Sequence, residues 1–447
     1  MKNYIVILTF LLFQSAFSQI VEVDTENLSQ SCDELEFSKI SYGYENKGKF
    51  MEACKDLSEE RPNMFLGYKS YLIVEGLLKS TSRNNPTKAR LFSIGKTHRK
   101  KDIFALQITN FADSTKFRPT VFLNCAHHAL ELLSTEYCFK IISELLSEEN
   151  SMYLDQFDFW IVPLVNPDGS ENYWHRSKYS GRKNGRMNSE SGVWNTKEGV
   201  DINRNYPFMW GIEGKYTSSN PESARYMGPT PASEPEIQAV MNLSIKKVFT
   251  LSISFHTVAT SILVPYTIPE ATNPIPELPK QFAQKMAAAS KTQRKSKPKY
   301  IVRKNIYPVS GTDQDWHYFK NGTMALLVEG PFYHTGISYH YSKVVMDGFM
   351  PGFWAYLNHY HDLPKLEVHA IDQEGRALSV QVEVVGRKYY HNEKFFTSSE
   401  SGRYILLFET SGPHKVLITY TDQHDKKEYR VLEVDLKTKH VVKSVVF

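Results

Sequence analysis

The chain has 447 residues, more than one ordinary domain needs and enough for two or three around a large core. Lys and Arg total 53 against 49 Asp and Glu, a net charge of +4, spread along the chain. That near balance gives no reason to expect nucleic acid or a membrane surface as partner.

At the N-terminus, Lys2 precedes the apolar run Ile5 to Phe13, and Ala16-Phe17-Ser18 supplies small residues at cleavage-type spacing. Residues 1–18 therefore read as a secretory signal peptide, cut between Ser18 and Gln19. The run is too short to span a bilayer, and no later stretch is apolar enough. No Cys follows it where lipid attachment needs one. A soluble exported product is expected, extracellular or periplasmic, monomeric and without a membrane anchor. Export permits disulfides. Cys32 and Cys54 flank a polar segment and are candidates to pair there. Cys125 ends an apolar run and Cys138 falls in a helical pattern, so both are expected as buried free thiols.

Residues 19–66 are polar and irregular and read as an N-terminal extension. The pattern then predicts a helix over Tyr68 to Lys79 and strands over Ala89 to Ile94 and Ile103 to Thr109. Thr120 to Ala126 is an unbroken apolar run, as in a buried central strand. A helix over Leu130 to Leu146 and a strand over Phe157 to Leu164 follow, the latter closed by the turn signal Asn166-Pro167-Asp168-Gly169. Glu234 to Lys247 is helical, Val248 to Phe255 a strand, and Ala325 to Val328 a short apolar strand. The basic run Lys291 to Arg303 reads as a solvated loop. Residues 67–362 thus form an α/β domain with a mixed, largely buried sheet flanked by helices. Beyond it, alternation at Val380-Val382-Val384, Val416-Ile418-Tyr420 and Leu432-Val434-Leu436, with glycine-marked turns, predicts a small all-β sandwich over 363–447.

His128-Ala129-Leu130-Glu131 stands directly after the buried strand Thr120 to Ala126. A His and a carboxylate three residues apart can face one metal, and a catalytic zinc takes three protein ligands and keeps one position open. His127 is a rival on the same strand end. The third ligand is found in His256, which closes another apolar strand. In Asp201-Ile202-Asn203-Arg204-Asn205, an Arg flanked by amides suits capture of a carboxylate. Arg182-Lys183-Asn184 is a second cationic element, and Glu329 ends an apolar run where a general base beside a metal is well placed.

These residues, with Asn166-Pro167-Asp168-Gly169, Ser233-Glu234-Pro235-Glu236 and the Tyr307 to Trp316 segment, occur in a fixed order over about Tyr68 to Tyr360. The set resembles the zinc metallocarboxypeptidases typified by carboxypeptidases A, B, E and N. The C-terminal sandwich is similar to the transthyretin-like domain that follows the catalytic domain in the E and N subgroup.

The resemblance implies one zinc ion on His128, Glu131 and His256. It implies Glu329 as the base that activates the zinc-bound water, and Arg182 as the group that stabilises the oxyanion, with Arg176 the alternative. Asn203 and Arg204 would grip the terminal carboxylate of a peptide and Tyr307 would close over it. Gln314 would lie at the floor of the pocket for the C-terminal side chain. Gln314 is neither acidic nor apolar, so polar or mixed C-terminal residues are expected; Asp313 beside it is a second source of charge. Leu130 stands where the family commonly has Arg. No prosegment of family size precedes Tyr68, so a constitutively active enzyme is expected. The alternatives are a zinc amidase acting on cell-wall peptides and an inactive binder of peptide C-termini.

Overall fold

A computed structural model describes residues 19–26, 55–57, 59, 61–113, 116–175, 181–188, 195, 197–332, 338–437 and 439–447. Residues 1–18, Cys32, Cys54 and Arg176 lie outside the described residues.

The unbroken apolar runs form a nine-stranded sheet. In chain order its strands are β1 (Val21–Glu22), β2 (Ala89–Lys96), β3 (Asp102–Ile108), β4 (Thr120–Cys125), β5 (Asp158–Val162), β6 (Leu251–Thr257), β7 (Ser261–Leu263), β8 (Ile301–Arg303) and β9 (Met324–Gly330). Their order in space is β1-β2-β3-β5-β4-β6-β9-β7-β8. The centre, β5-β4-β6-β9, is parallel, and β4 and β6 are buried at every residue. Such strands need cover on both faces, and even the polar Ser252 and Ser254 of β6 are buried.

The covering helices are α1 (Tyr71–Asn84), α2 (Leu132–Leu146), α3 (Pro167–His175), α4 (Pro235–Lys247), α5 (Glu277–Ala289), α6 (Asp313–Asn321) and α7 (Tyr339–Asp362). The mixed α/β fold with a large flanked sheet is the one expected.

Four details differ from the sequence reading. The Asn166-Pro167-Asp168-Gly169 turn is the start of α3: Asn166 Oδ1 accepts from Gly169 N at 2.8 Å, and Pro167 takes a first-turn position where no N–H is needed. Val21–Glu22, from the extension, pairs with β2 as an edge strand. The end of the basic run, Ile301–Arg303, is strand β8, so only the part before it is loop. Cys125 and Cys138, read as free thiols, are joined in a disulfide between β4 and α2. Their spacing hid this, because strand and helix bring back to one point residues that are 13 apart in sequence.

After α7, seven strands form two small sheets. They are β10 (Lys365–Ile371), β11 (Gln381–Val384), β12 (Phe395–Phe396), β13 (Arg403–Leu407), β14 (Pro413–Thr421), β15 (Lys427–Asp435) and β16 (His440–Val446), ordered β13-β10-β16 and β12-β11-β14-β15. Alternate residues such as Val382, Val384, Val416 and Ile418 fill a second core between them.

Candidate active site

Parallel strands end together, so side chains just past their C-terminal ends converge. His128 follows β4, His256 is the sixth residue of β6, and Glu329 stands in register with His256 on β9. Glu131 is held at the entry to α2, where its carbonyl accepts from Ser134 Oγ at 2.7 Å.

The geometry brings His128, Glu131 and His256 to one point, all three buried, with one ligand atom of each within 4.8 Å of the others. Glu131 Oε1 lies 2.9 Å from His128 Nδ1, and Oε2 lies 3.1 Å from His256 Nδ1. Oε2 also accepts from Thr257 N at 2.9 Å, which fixes the carboxylate. The outer imidazole nitrogens are occupied too: His128 Nε2 is 3.0 Å from Asp201 Oδ1, and His256 Nε2 is 3.3 Å from Asn203 Nδ2. Both rings therefore turn Nδ1 inward. Two imidazoles and a carboxylate are a donor set that zinc accepts, and carboxylate or amide partners behind the imidazoles orient such ligands.

Asp201 had been given no role by sequence reasoning. Its buried carboxylate joins His128 to Arg182, whose Nη2 donates to Oδ2 at 2.6 Å. Burial alone would raise its pKa, but the Arg182 and Arg204 guanidiniums and His128 hold it well below the usual carboxylate range. The signal was present: a histidine ligand needs an acceptor on its far nitrogen, and Asp201 is the acid of the Asn203-Arg204 motif.

His127, the rival ligand, points elsewhere. Its Nε2 is 2.9 Å from Tyr206 Oη, and burial pushes its pKa down to about 3. Tyr206 in turn donates to Asp313 at 2.9 Å.

A cavity of about 460 Å³ opens beside the cluster. Every expected site residue lines it: His128, Glu131 and His256, then Arg182, Asn203 and Arg204, with Tyr307, Gln314 and Glu329. Asn203 Oδ1 accepts from Asp313 N at 2.9 Å, and Arg204 donates from Nε to Tyr216 O at 2.8 Å and from Nη1 to Asn203 O at 2.6 Å. The Tyr307 ring stacks on Tyr216 with centroids 3.6 Å apart. Glu329 Oε2 is buried without a hydrogen-bond partner among the described residues. Burial, then the neighbouring Glu131 charge, pushes its pKa up to about 8, while His128 and the two arginines oppose this.

Outside the cavity, the remaining motifs hold the loops in place. Asn184 Nδ2 donates to Glu234 Oε2 at 2.7 Å and to Glu236 Oε2 at 3.0 Å. Lys183 Nζ donates to the carbonyls of Lys197, Pro221 and Ser223.

Residues 74–351, well over half of the chain, match the model of the zinc carboxypeptidase family. The chain belongs to the zinc carboxypeptidase family. Among relatives of that family, carboxypeptidase A6 of Mus musculus is 29% identical over 269 residues, 57% of this chain and 58% of that protein. Carboxypeptidase B of Rattus norvegicus is 27% identical over 265 residues, 56% of this chain and 60% of that protein. The chain thus spans less than two thirds of these relatives. Two solved structures share the fold. Carboxypeptidase A from Helicoverpa armigera has a TM-score of 0.59 at 21% identity, covering 70% of this chain and 80% of that one. Bovine thrombin-activatable fibrinolysis inhibitor, in complex with tick carboxypeptidase inhibitor, has a TM-score of 0.58 at 21% identity, covering 65% and 97%. Membership of the zinc carboxypeptidase family implies zinc as the metal, and the cluster offers the donors for it.

Proposed function

We propose that this protein is an exported metallocarboxypeptidase that hydrolyses the last peptide bond of peptides or proteins. The observation that carries the reading is the single cavity shared by the His128–Glu131–His256 cluster, the Glu329 carboxylate and the Asn203–Arg204 pair. His128, Glu131 and His256 would hold the zinc, which would supply Lewis-acid polarisation of the scissile carbonyl and a water acidified towards neutral pH.

The protein's own groups do the rest. Arg204, oriented by Tyr216 O and by the Asn203 carbonyl, receives the substrate's terminal carboxylate together with Asn203. Tyr307 closes over it. A mid-chain peptide has no charge to offer this clamp, which makes the reaction exopeptidic. Arg182, anchored by Asp201, faces the carbonyl oxygen as negative charge develops there, a contribution typically of ~3–4 kcal/mol. Glu329 removes the proton from the attacking water and passes it to the leaving amine. Its buried, unpartnered oxygen suits a group that must hold a proton between these steps. Gln314 meets the C-terminal side chain. Residues 363–447 form a transthyretin-like module docked on the catalytic unit. Export is supported by the Cys125–Cys138 disulfide, since oxidised cysteines persist outside reducing compartments.

The test is incubation of the purified, zinc-loaded chain with peptides that have free or amidated C-termini, followed by mass spectrometry. Stepwise loss from free termini only is expected. Glu329→Gln is expected to lower the rate by about a hundredfold or more while zinc content stays at one per chain. Trimming of amidated peptides, or full activity in the variant, rejects the assignment.

A further inference from the structure

The side-chain end of the cavity has a composition of its own. Two residues back along β9 from Glu329, on the same side of the strand, stands Leu327, with Leu263 opposite it in register. Ile306 and Val309 complete an apolar wall. Gln314, in the first turn of α6, is a polar residue of the same lining, with Thr312 two residues before it, and both are buried.

The orientation of its amide follows from its neighbour. Gln314 Nε2 lies 3.5 Å from Asp315 Oδ1, a carboxylate that accepts, so the nitrogen belongs on that side. Oε1 is then the free end, and it has no hydrogen-bond partner among the described residues. The acids on either side of Gln314 are turned away, and neither lines the cavity. Asp313 accepts from Tyr206 Oη at 2.9 Å and from Asn124 Nδ2. Asp315 accepts from Thr267 N at 2.9 Å and from Thr267 Oγ1 at 2.6 Å. Asp313 is thus removed as a source of charge for this pocket. The charged groups that do line the cavity are Glu131 and Glu329 at the metal cluster, Arg182 on Asp201, and Arg204 and Arg225 against Tyr216.

We infer that the pocket selects a C-terminal residue whose side chain is neutral, apolar along its stem and ends in a hydrogen-bond donor, as glutamine and asparagine are. The inference rests on the carboxypeptidase reading above. The stem packs on Leu263, Ile306, Val309 and Leu327, and the terminal N–H donates to Gln314 Oε1. A purely apolar side chain displaces water and leaves that acceptor buried and unpaired. A carboxylate meets an acceptor with an acceptor. A lysine or arginine buries its charge with no carboxylate facing it.

The experiment measures kcat/KM of the full zinc-loaded chain on peptides identical except for a last residue of Gln, Met, Glu or Lys. Gln and Met have nearly the same length and width, so their ratio isolates the hydrogen bond. Gln is expected to exceed Met by about tenfold, and Glu and Lys by about a hundredfold or more. Gln314→Leu is expected to remove the advantage over Met. Wild-type release of Met or Lys as fast as Gln overturns the inference while leaving the carboxypeptidase intact, and needs no variant. A Gln preference that survives in Gln314→Leu overturns it too. Release of no peptide rejects the carboxypeptidase reading and the inference with it.

Discussion

Asp201 makes the most consequential single contact outside the candidate ligand set. It accepts from His128 on one oxygen and from Arg182 on the other, so it orients one proposed zinc ligand and one proposed substrate-facing cation together. Asp201→Asn keeps the shape but offers only one acceptor atom and no charge. Zinc is expected to bind about 10–100-fold more weakly, as is typical when such an outer partner is lost. Competition with a chelator of known affinity measures this; unchanged affinity would show that Asp201 is mere packing. The candidate residues that line the cavity could be picked out because each has a distinctive chemistry at a strand end or loop. Asp201 was overlooked because a carboxylate acting on a ligand, rather than on the metal, leaves no spacing rule. The Cys125–Cys138 bond was misread for a related reason: burial of two cysteines is visible in a pattern, and their mutual distance is not.

Helices and strands of the large-sheet unit were legible wherever their apolar period was long. The start at Asn166-Pro167 was not, because a cap and a turn use the same residues. At Ser233-Glu234-Pro235-Glu236 the start was legible to within one residue of Glu234. Pro235 opens α4, and the flanking acids face inward to Asn184 and, from Glu234, to His98 Nε2 at 2.9 Å and Arg186 Nη1 at 3.1 Å. His98 lies in the β2–β3 connection, so this contact ties the sheet edge to α4. Burial alone would lower the His98 pKa, but the Glu234 hydrogen bond and the charges of Glu236 and Glu234 outweigh it, and the pKa is raised above 6.5. A raised folded-state pKa contributes stability that is fully present below the unfolded value and is lost as pH rises through the folded one. The thermal midpoint of His98→Gln is therefore expected to fall below the parent's at pH below 6.5. The gap should close as pH rises through the folded pKa. A gap independent of pH would mean that His98 acts by shape and not by charge.

At the scale of the whole molecule, the change of pattern near Leu363 marked where the sandwich begins, but nothing local marked how it is seated. The contacts join residues far apart in sequence. Tyr404 Oη donates to Asn321 O at 2.8 Å, Ser398 Oγ to Lys246 O at 2.6 Å, and Tyr266 Oη to Glu393 Oε1 at 3.0 Å. The cores interlock as well. Val248, held at positive φ just past α4, lies in the sandwich core, whereas Ile405 and Leu407 of β13 lie in the core of the large sheet. Neither unit keeps its apolar surface covered without the other, so they are expected to unfold together. Calorimetry of the full chain should give one transition whose calorimetric and van't Hoff enthalpies agree. Tyr404→Phe, which leaves the Asn321 carbonyl without its donor, should lower the stability of that one transition by about 1 kcal/mol. Two separated transitions, with Tyr404→Phe shifting only one, would mean that the sandwich is a passenger and not part of the catalytic unit's core.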